Sequence, residues 1–217
     1  PPLSADYPMW PQPILADIEF DVNEDIIMSF TDRLGHQTGT QNRGTNSADA
    51  KLYSGVSGGD MLRAALVSGT YVIENNASTG GVTTAGANNN QGPGGGEFYF
   101  QELYGNHNET VQGGVSLLAG SGDVAVISMD PFAIFSSGVF YMNNITGAKT
   151  RAYEIVPSNE TPATFGKANG LGDLELLCNL APIEIGNRVW TDTESDGIQD
   201  AGEAPISGVI VDLVKSG

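Results

Sequence analysis

Short apolar and alternating runs recur along the chain, each bounded by Gly, Asn, Asp, Ser or Pro. ILADIEFDV (14–22) and DIIMSFTDR (25–33) alternate on either side of the turn Asn23-Glu24 and predict two strands. DMLRAALV (60–67) and TYVIENN (70–76) are joined by Ser68-Gly69, a tight hairpin signal, although propensity also allows the first run a helix. EFYFQELYG (97–105), GGVSLLAG (113–120), DVAVISMDP (123–131), SGVFYMNN (137–144), AKTRAYEIV (148–156) and GDLELLC (172–178) continue the series. Turn signals spaced about 8–12 residues apart predict an all-β domain over 14–180, either propeller-like blades or a β-sandwich. Residues 1–13, PPLSADYPMWPQP, read as an extended Pro-rich segment that lacks an initiator Met, the start of a mature or internal piece.

Two long polar stretches interrupt the strands, at 35–59 and 77–96. Loops of that length are uncommon in compact domains and are often functional. They read either as ordered surface loops pinned by Asn and Gly turns or as a contact surface for a glycan or a protein. Aromatic residues that would stack on a sugar are nearly missing from them, with Tyr53 the exception. Pro182 in APIEIGNRVW (181–190) marks a boundary, and a new strand is expected from Ile183.

The charge narrows the functional classes. The chain carries 26 acidic and 9 basic residues, a net charge of −17. Such a field repels nucleic acid and anionic membrane surfaces and attracts divalent cations. No run reaches the roughly 18–20 apolar residues of a membrane span, so no membrane insertion is expected. The lone cysteine, Cys178, has no partner for an internal disulfide and reads as a buried small hydrophobe. Cys178, His36 and His107 are not spaced as zinc ligands.

The acids concentrate in DTESDGIQDAGE (192–203). This stretch follows the calcium-loop template D-x-[DN]-x-[DN]-G-x5-E. Asp192, Glu194 and Asp196 take the first three ligand positions, and Gly197 falls where the chain must turn sharply. Ile198 would offer its backbone carbonyl, Asp200 the next side chain, and Glu203 the bidentate last place. Glu194 alone departs from the strict pattern. Carboxylates gathered this closely repel one another unless a hard cation such as Ca2+ sits among them. The flanks, IGNRVW and PISGVIVDL, are β-branched and alternating, so the loop is expected between strands. The ion would then be a structural staple and not the trigger of a helix-opening sensor.

With these residues in view, IEIGNRVWTDTESDGIQDAGEAPISGVIVDL resembles the opening of the SdrD B-like (Cna B-type) repeat of bacterial surface proteins. The resemblance implies a prealbumin-like β-sandwich that binds calcium and serves as stalk or spacer in adhesins. It assigns Asp192, Glu194, Asp196, Asp200 and Glu203 as ligands, and an extracellular, bacterial cell-surface or secreted location. Upstream, PQPILADIEFD, DRLGHQTG, GGGEFYF and GKANGLGDLELLC resemble the β-rich segment that precedes such repeats in large secreted bacterial proteins. Residues 183–217 supply only part of a sandwich that needs about 100 residues. The missing strands would come from further chain, from the preceding domain, or from a neighbouring subunit by strand addition, which would make the chain a filament protomer.

Other chemistry is weaker. Asp21, Asn23 and Asp25 form a D-x-N-x-D turn that reads as an Asx turn or as a second cation site. Asn-x-Ser/Thr sequons at Asn76, Asn108, Asn144 and Asn159 are candidates for glycosylation. GPGGGE (92–97) lacks the Lys of a phosphate loop. No nucleophile motif accompanies His36 or His107, so no enzyme is expected, and a cleft joining Asp60, His36 and His107 would favour one. The sequence therefore points to an extracellular structural or adhesive segment whose partners are neighbouring domains or identical subunits. The alternative is a module that binds glycans or host and matrix proteins through 35–59 and 77–96.

Overall fold

The computed structural model describes residues 5–6, 10–39, 41–55, 57–105, 107–157, 170–177, 189–193 and 203–210. The chain divides into two units, Pro1–Leu177 and Cys178–Gly217. In chain order the elements are β1 (Ala5–Asp6), β2 (Pro13–Phe20), β3 (Ile26–Asp32), α1 (Arg33–Thr38), β4 (Asn42–Arg43), β5 (Leu52–Tyr53), β6 (Asp60–Val67) and β7 (Thr70–Ile73). They continue with β8 (Ser78–Thr79), β9 (Val82–Thr83), β10 (Val111–Leu117), β11 (Asp123–Met129), β12 (Ser137–Asn143) and β13 (Lys149–Val156).

Two four-stranded antiparallel sheets carry the first unit, in the orders β2-β3-β6-β7 and β10-β11-β12-β13. The hairpin between β6 and β7 turns at Ser68 and Gly69, which both have positive φ (51° and 79°), the backbone that a two-residue connection requires. β10 is buried along its whole length and packs against β2 and β3. A register shift between Val111 and Val115 bends it. There the Ser29 hydroxyl of β3 donates to the Gly113 carbonyl, and the Asp17 carboxylate of β2 accepts from the Val115 amide at 2.9 Å. Side chains thus join the sheets where no backbone ladder does.

The shared core holds Ile27 and Met61 from one sheet and Val111, Val115, Leu117, Val124, Val126, Phe140 and Met142 from the other, with Phe98 and Tyr99. Each fully buried large side chain removes enough apolar surface from water to stabilise the fold by about 1.5–3 kcal/mol. Neither sheet closes on itself. Two open sheets around one core are sandwich-like, and a ring of propeller blades is not found among the described residues.

Two expected strands are absent. Residues 97–105 do not join a sheet, because their amides bond elsewhere: Phe98 to the Glu74 carboxylate at 2.8 Å, Phe100 to the Gly147 carbonyl at 3.2 Å, and Tyr104 to the His107 carbonyl at 3.0 Å. Gly147 is required for this path, since a Cβ there would lie 1.7 Å from the Phe98 carbonyl oxygen and its φ is 72°. Residues 172–177 are irregular as well. In the first long loop, Asp32 caps α1 by accepting from the amides of Leu34 (3.0 Å) and Gly35 (3.2 Å).

A buried ionic knot ties the two sheets at one end. Arg63, 7% exposed, reaches the Asp25 carboxylate at 2.8 Å and lies 3.7 Å from Asp21. It also donates to the backbone and side-chain carbonyls of Asn144, both at 2.5 Å. Asn144 completes the knot by accepting from the Tyr99 hydroxyl and donating to Asp21, each at 2.6 Å.

Candidate functional site

The acidic loop is described only at its mouth. Trp190 and Pro205 form an antiparallel bridge. The Ile206 amide donates to the Val189 carbonyl at 2.7 Å, and the Thr191 amide to the Ala204 carbonyl at 3.2 Å. The described residues at the mouth, 189–191 and 204–206, therefore pair antiparallel and are not helical, which brings Asp192 close to Glu203. Glu203 Oε1 accepts from both the amide (2.7 Å) and the hydroxyl (3.1 Å) of Thr193, which fixes the carboxylate at the loop's end. Glu194, Asp196, Ile198 and Asp200 lie outside the described residues, as do Cys178 and Asn159.

The Asp21–Asp25 turn faces a different cation. Asp21 and Asp25 both lie against the guanidinium of Arg63, and Asp25 also accepts from the Leu66 amide at 2.9 Å. Asn23 sits in the exposed turn between them. A second metal at Asp21, Asn23 and Asp25 gains no support, because a side chain already supplies the positive charge. Among the sequons, Asn108 is exposed. Asn76 holds Asn88 with both ends of its amide, at 2.8 and 3.2 Å. Asn144, at 4% exposure, is part of the Arg63 knot, so its side chain is buried where a glycan would have to attach.

A second set of acids is gathered by the fold. β6 begins at Asp60, and the stretch between β9 and β10 supplies Glu97, Glu102 and Glu109. Backbone bonds lock these segments together: Thr110 amide to Glu102 carbonyl at 2.9 Å, and Gly59 amide to Glu109 carbonyl at 3.0 Å. One oxygen from each of Asp60, Glu102 and Glu109 falls within 4.8 Å of the other two. Asp60 and Glu109 also line a cavity of about 660 Å³, with His107, Gly59 and Gln91 on its wall. His36 is elsewhere, its Nε2 2.8 Å from the Thr31 hydroxyl, so the cavity joins only two of the three groups that an enzyme reading required.

Burial dominates the electrostatics of this cluster. It raises the carboxyl of Asp60 to about 6, Glu74 to about 7, Glu97 to about 8 and Glu109 to about 7, and pushes Glu102 far up. Mutual repulsion adds to the rise at all but Asp60. Glu74 is well held, accepting from the amides of Arg63 and Phe98, both at 2.8 Å. The others are not. Both oxygens of Glu102 and one each of Asp60, Glu97 and Glu109 are buried with no hydrogen-bond partner among the described residues. Such a cluster favours either bound protons or a bound cation over bare negative charge. It escapes a reading of the sequence because its members are far apart along the chain. The one signal was glutamate inside the aromatic run EFYFQELYG.

Comparison with known proteins adds the family context. Residues 183–217 match the SdrD B-like domain. Across 94% of its length the chain is 34% identical to Colossin-A of Dictyostelium discoideum, of which it covers 2%. It is 33% identical to Colossin-C (94% of the chain, 20% of that protein) and 30% identical to Colossin-B (95% and 5%), both from the same organism. The chain thus spans a fifth or less of each of these relatives. No solved structure matches it significantly. The bacterial source implied by the surface-protein resemblance finds no support in these relatives. No helix among the described residues is long and apolar enough to cross a membrane. Residues 183–217 are thus similar to an SdrD B-like domain, and the chain as a whole is similar to parts of the Colossins.

Proposed function

We propose that the chain is a spacer module of a long extracellular protein and that Ca2+ held by Asp192, Glu194, Asp196, the Ile198 carbonyl, Asp200 and Glu203 stiffens the joint after its β-rich unit. One observation carries this reading: the similarity runs through nearly the whole chain yet covers 2–20% of each of these Colossins, as a module of a much longer protein would. The antiparallel mouth of the loop supports it, because pairing Trp190 with Pro205 sets the first and last ligand positions side by side. The test is limited proteolysis of the chain in millimolar calcium and in chelator. Calcium should slow cleavage between 178 and 217 at least tenfold, and the double substitution Asp192→Asn/Glu203→Gln should abolish that protection. Equal cleavage rates in calcium and chelator would remove the staple.

Strand addition between subunits is the finer form of this reading. It is supported by the edge strands β7 and β13, along which no further strand pairs among the described residues. A binding module is the second reading. One observation favours it: Ser57, Gly58 and Gly59 from the first long loop and Asn90, Gln91 and Gly92 from the second line one cavity.

A further inference from the structure

Glu102 has no evident reason to be where it is. Its side chain is 2% exposed, and neither oxygen meets a hydrogen-bond donor among the described residues. A buried carboxylate without partners costs several kcal/mol, and native folds compensate such groups. Glu74, in the same interior, shows what compensation looks like, with an amide on each oxygen. Around Glu102 the fold supplies two more carboxylates instead.

We propose that Asp60, Glu102 and Glu109 form a binding site for a hard divalent cation of the size of calcium, reached through the cavity that Asp60 and Glu109 line. The donor set is all oxygen, which suits calcium or magnesium and not zinc. The one imidazole on the cavity wall, His107, already has its Nδ1 2.5 Å from the buried Asp130 carboxylate. Spacing favours the larger ion. Metal–oxygen distances of about 2.3–2.6 Å let two ligands on opposite sides of calcium stand up to about 5 Å apart, whereas magnesium at about 2.1 Å holds them closer. The three carboxylate oxygens lie within 4.8 Å of one another, a span that calcium accommodates without drawing the ligands closer.

The site is built, not merely acidic. Glu109 adopts a left-handed backbone (φ 55°), unusual for a residue with a Cβ, and strain of this kind is retained where the surrounding structure imposes a position. Its Oε1 accepts from the Gln91 amide group, while its Oε2 is a buried oxygen without a partner. Gly59 allows the approach of β6 to β10: a Cβ there would lie 2.0 Å from the Val111 carbonyl oxygen. Asn90 and Asn108 line the same cavity. Lys149 acts electrostatically on Glu102, but it also donates to the Leu103 carbonyl at 2.6 Å and leaves the three carboxylates in excess. Binding would replace protons on the cluster with the ion.

Calorimetric titration of the metal-stripped chain with calcium chloride tests the proposal. Asp192→Asn/Glu203→Gln disables the C-terminal loop, so any ion that this variant still binds belongs to the first unit. One calcium is expected to remain. Adding Glu102→Gln should weaken it at least tenfold, as should Glu109→Gln on the cavity wall. Glu102→Gln on its own should melt no lower than the parent in chelator, since it removes an uncompensated charge from the interior. Failure of the loop-disabled variant to bind calcium would overturn the site, as would unchanged affinity in both the Glu102 and Glu109 variants. The proposed loop fails by a separate result, a parent stoichiometry that Asp192→Asn/Glu203→Gln leaves unaltered.

Discussion

The first unit buries two groups of carboxylates and treats them differently. At one end, Arg63 pairs with Asp25 and lies beside Asp21, while Asn144 and the Leu66 amide donate further hydrogen bonds to these carboxylates. At the other, Asp60, Glu102 and Glu109 converge with no comparable side chain between them. The first group carries its countercharge in the sequence. The second needs protons or an ion from solution. Stability should therefore be indifferent to calcium at the first and dependent on solution conditions at the second.

The largest effect is expected from breaking the internally compensated group. Arg63→Met leaves Asp25 buried without its partner and should cost about 3–5 kcal/mol, read by urea denaturation. Calcium should not restore it. Rescue by calcium would mean that the two groups are interchangeable and the contrast is false.

A smaller effect is expected from pH. Glu74 and Glu97, raised to about 7 and about 8, bind protons in the folded state that the unfolded chain releases near 4.5. Their stabilising contribution is full below that value and is lost as pH rises through 7 and 8. In chelator, the melting temperature should fall by several degrees between pH 5.5 and 8.5. Glu97→Gln should flatten this slope. A slope that persists unchanged in that variant would assign it to the overall negative charge.

The smallest effect belongs to a surface pair that resembles the Arg63 contact only on paper. Arg151 meets Asp123 at 3.0 Å with its side chain 59% exposed, and its guanidinium lies 4.0 Å from the Tyr141 ring centre. Arg151→Ala should cost about 1 kcal/mol or less by the same denaturation measurement. A loss as large as that of Arg63→Met would remove burial as the source of the difference.

What the sequence made legible follows the same division between local and assembled features. β6, β11 and β12 were visible because a short apolar run, turn residues at its ends and the ladder agree along each. The run 97–105 alternates as well, yet it is held by a carboxylate and by loop carbonyls, and a side chain that replaces a neighbouring strand leaves no trace in periodicity. The acidic loop could be proposed from the sequence because all its candidate ligand positions lie close together along the chain. Asp60, Glu102 and Glu109 were not, because each looks like an ordinary surface acid until the backbone bonds of Gly59 and Thr110 bring their segments together.

The interior position of Asn144 has a consequence for biogenesis. Its amide nitrogen is committed to Asp21 and its carbonyl oxygen to Arg63 and Tyr99, so a sugar attached there during synthesis would keep the two sheets from docking. The peptide spanning this sequon is thus a check on assembly: mass analysis of folded molecules is expected to find it bare.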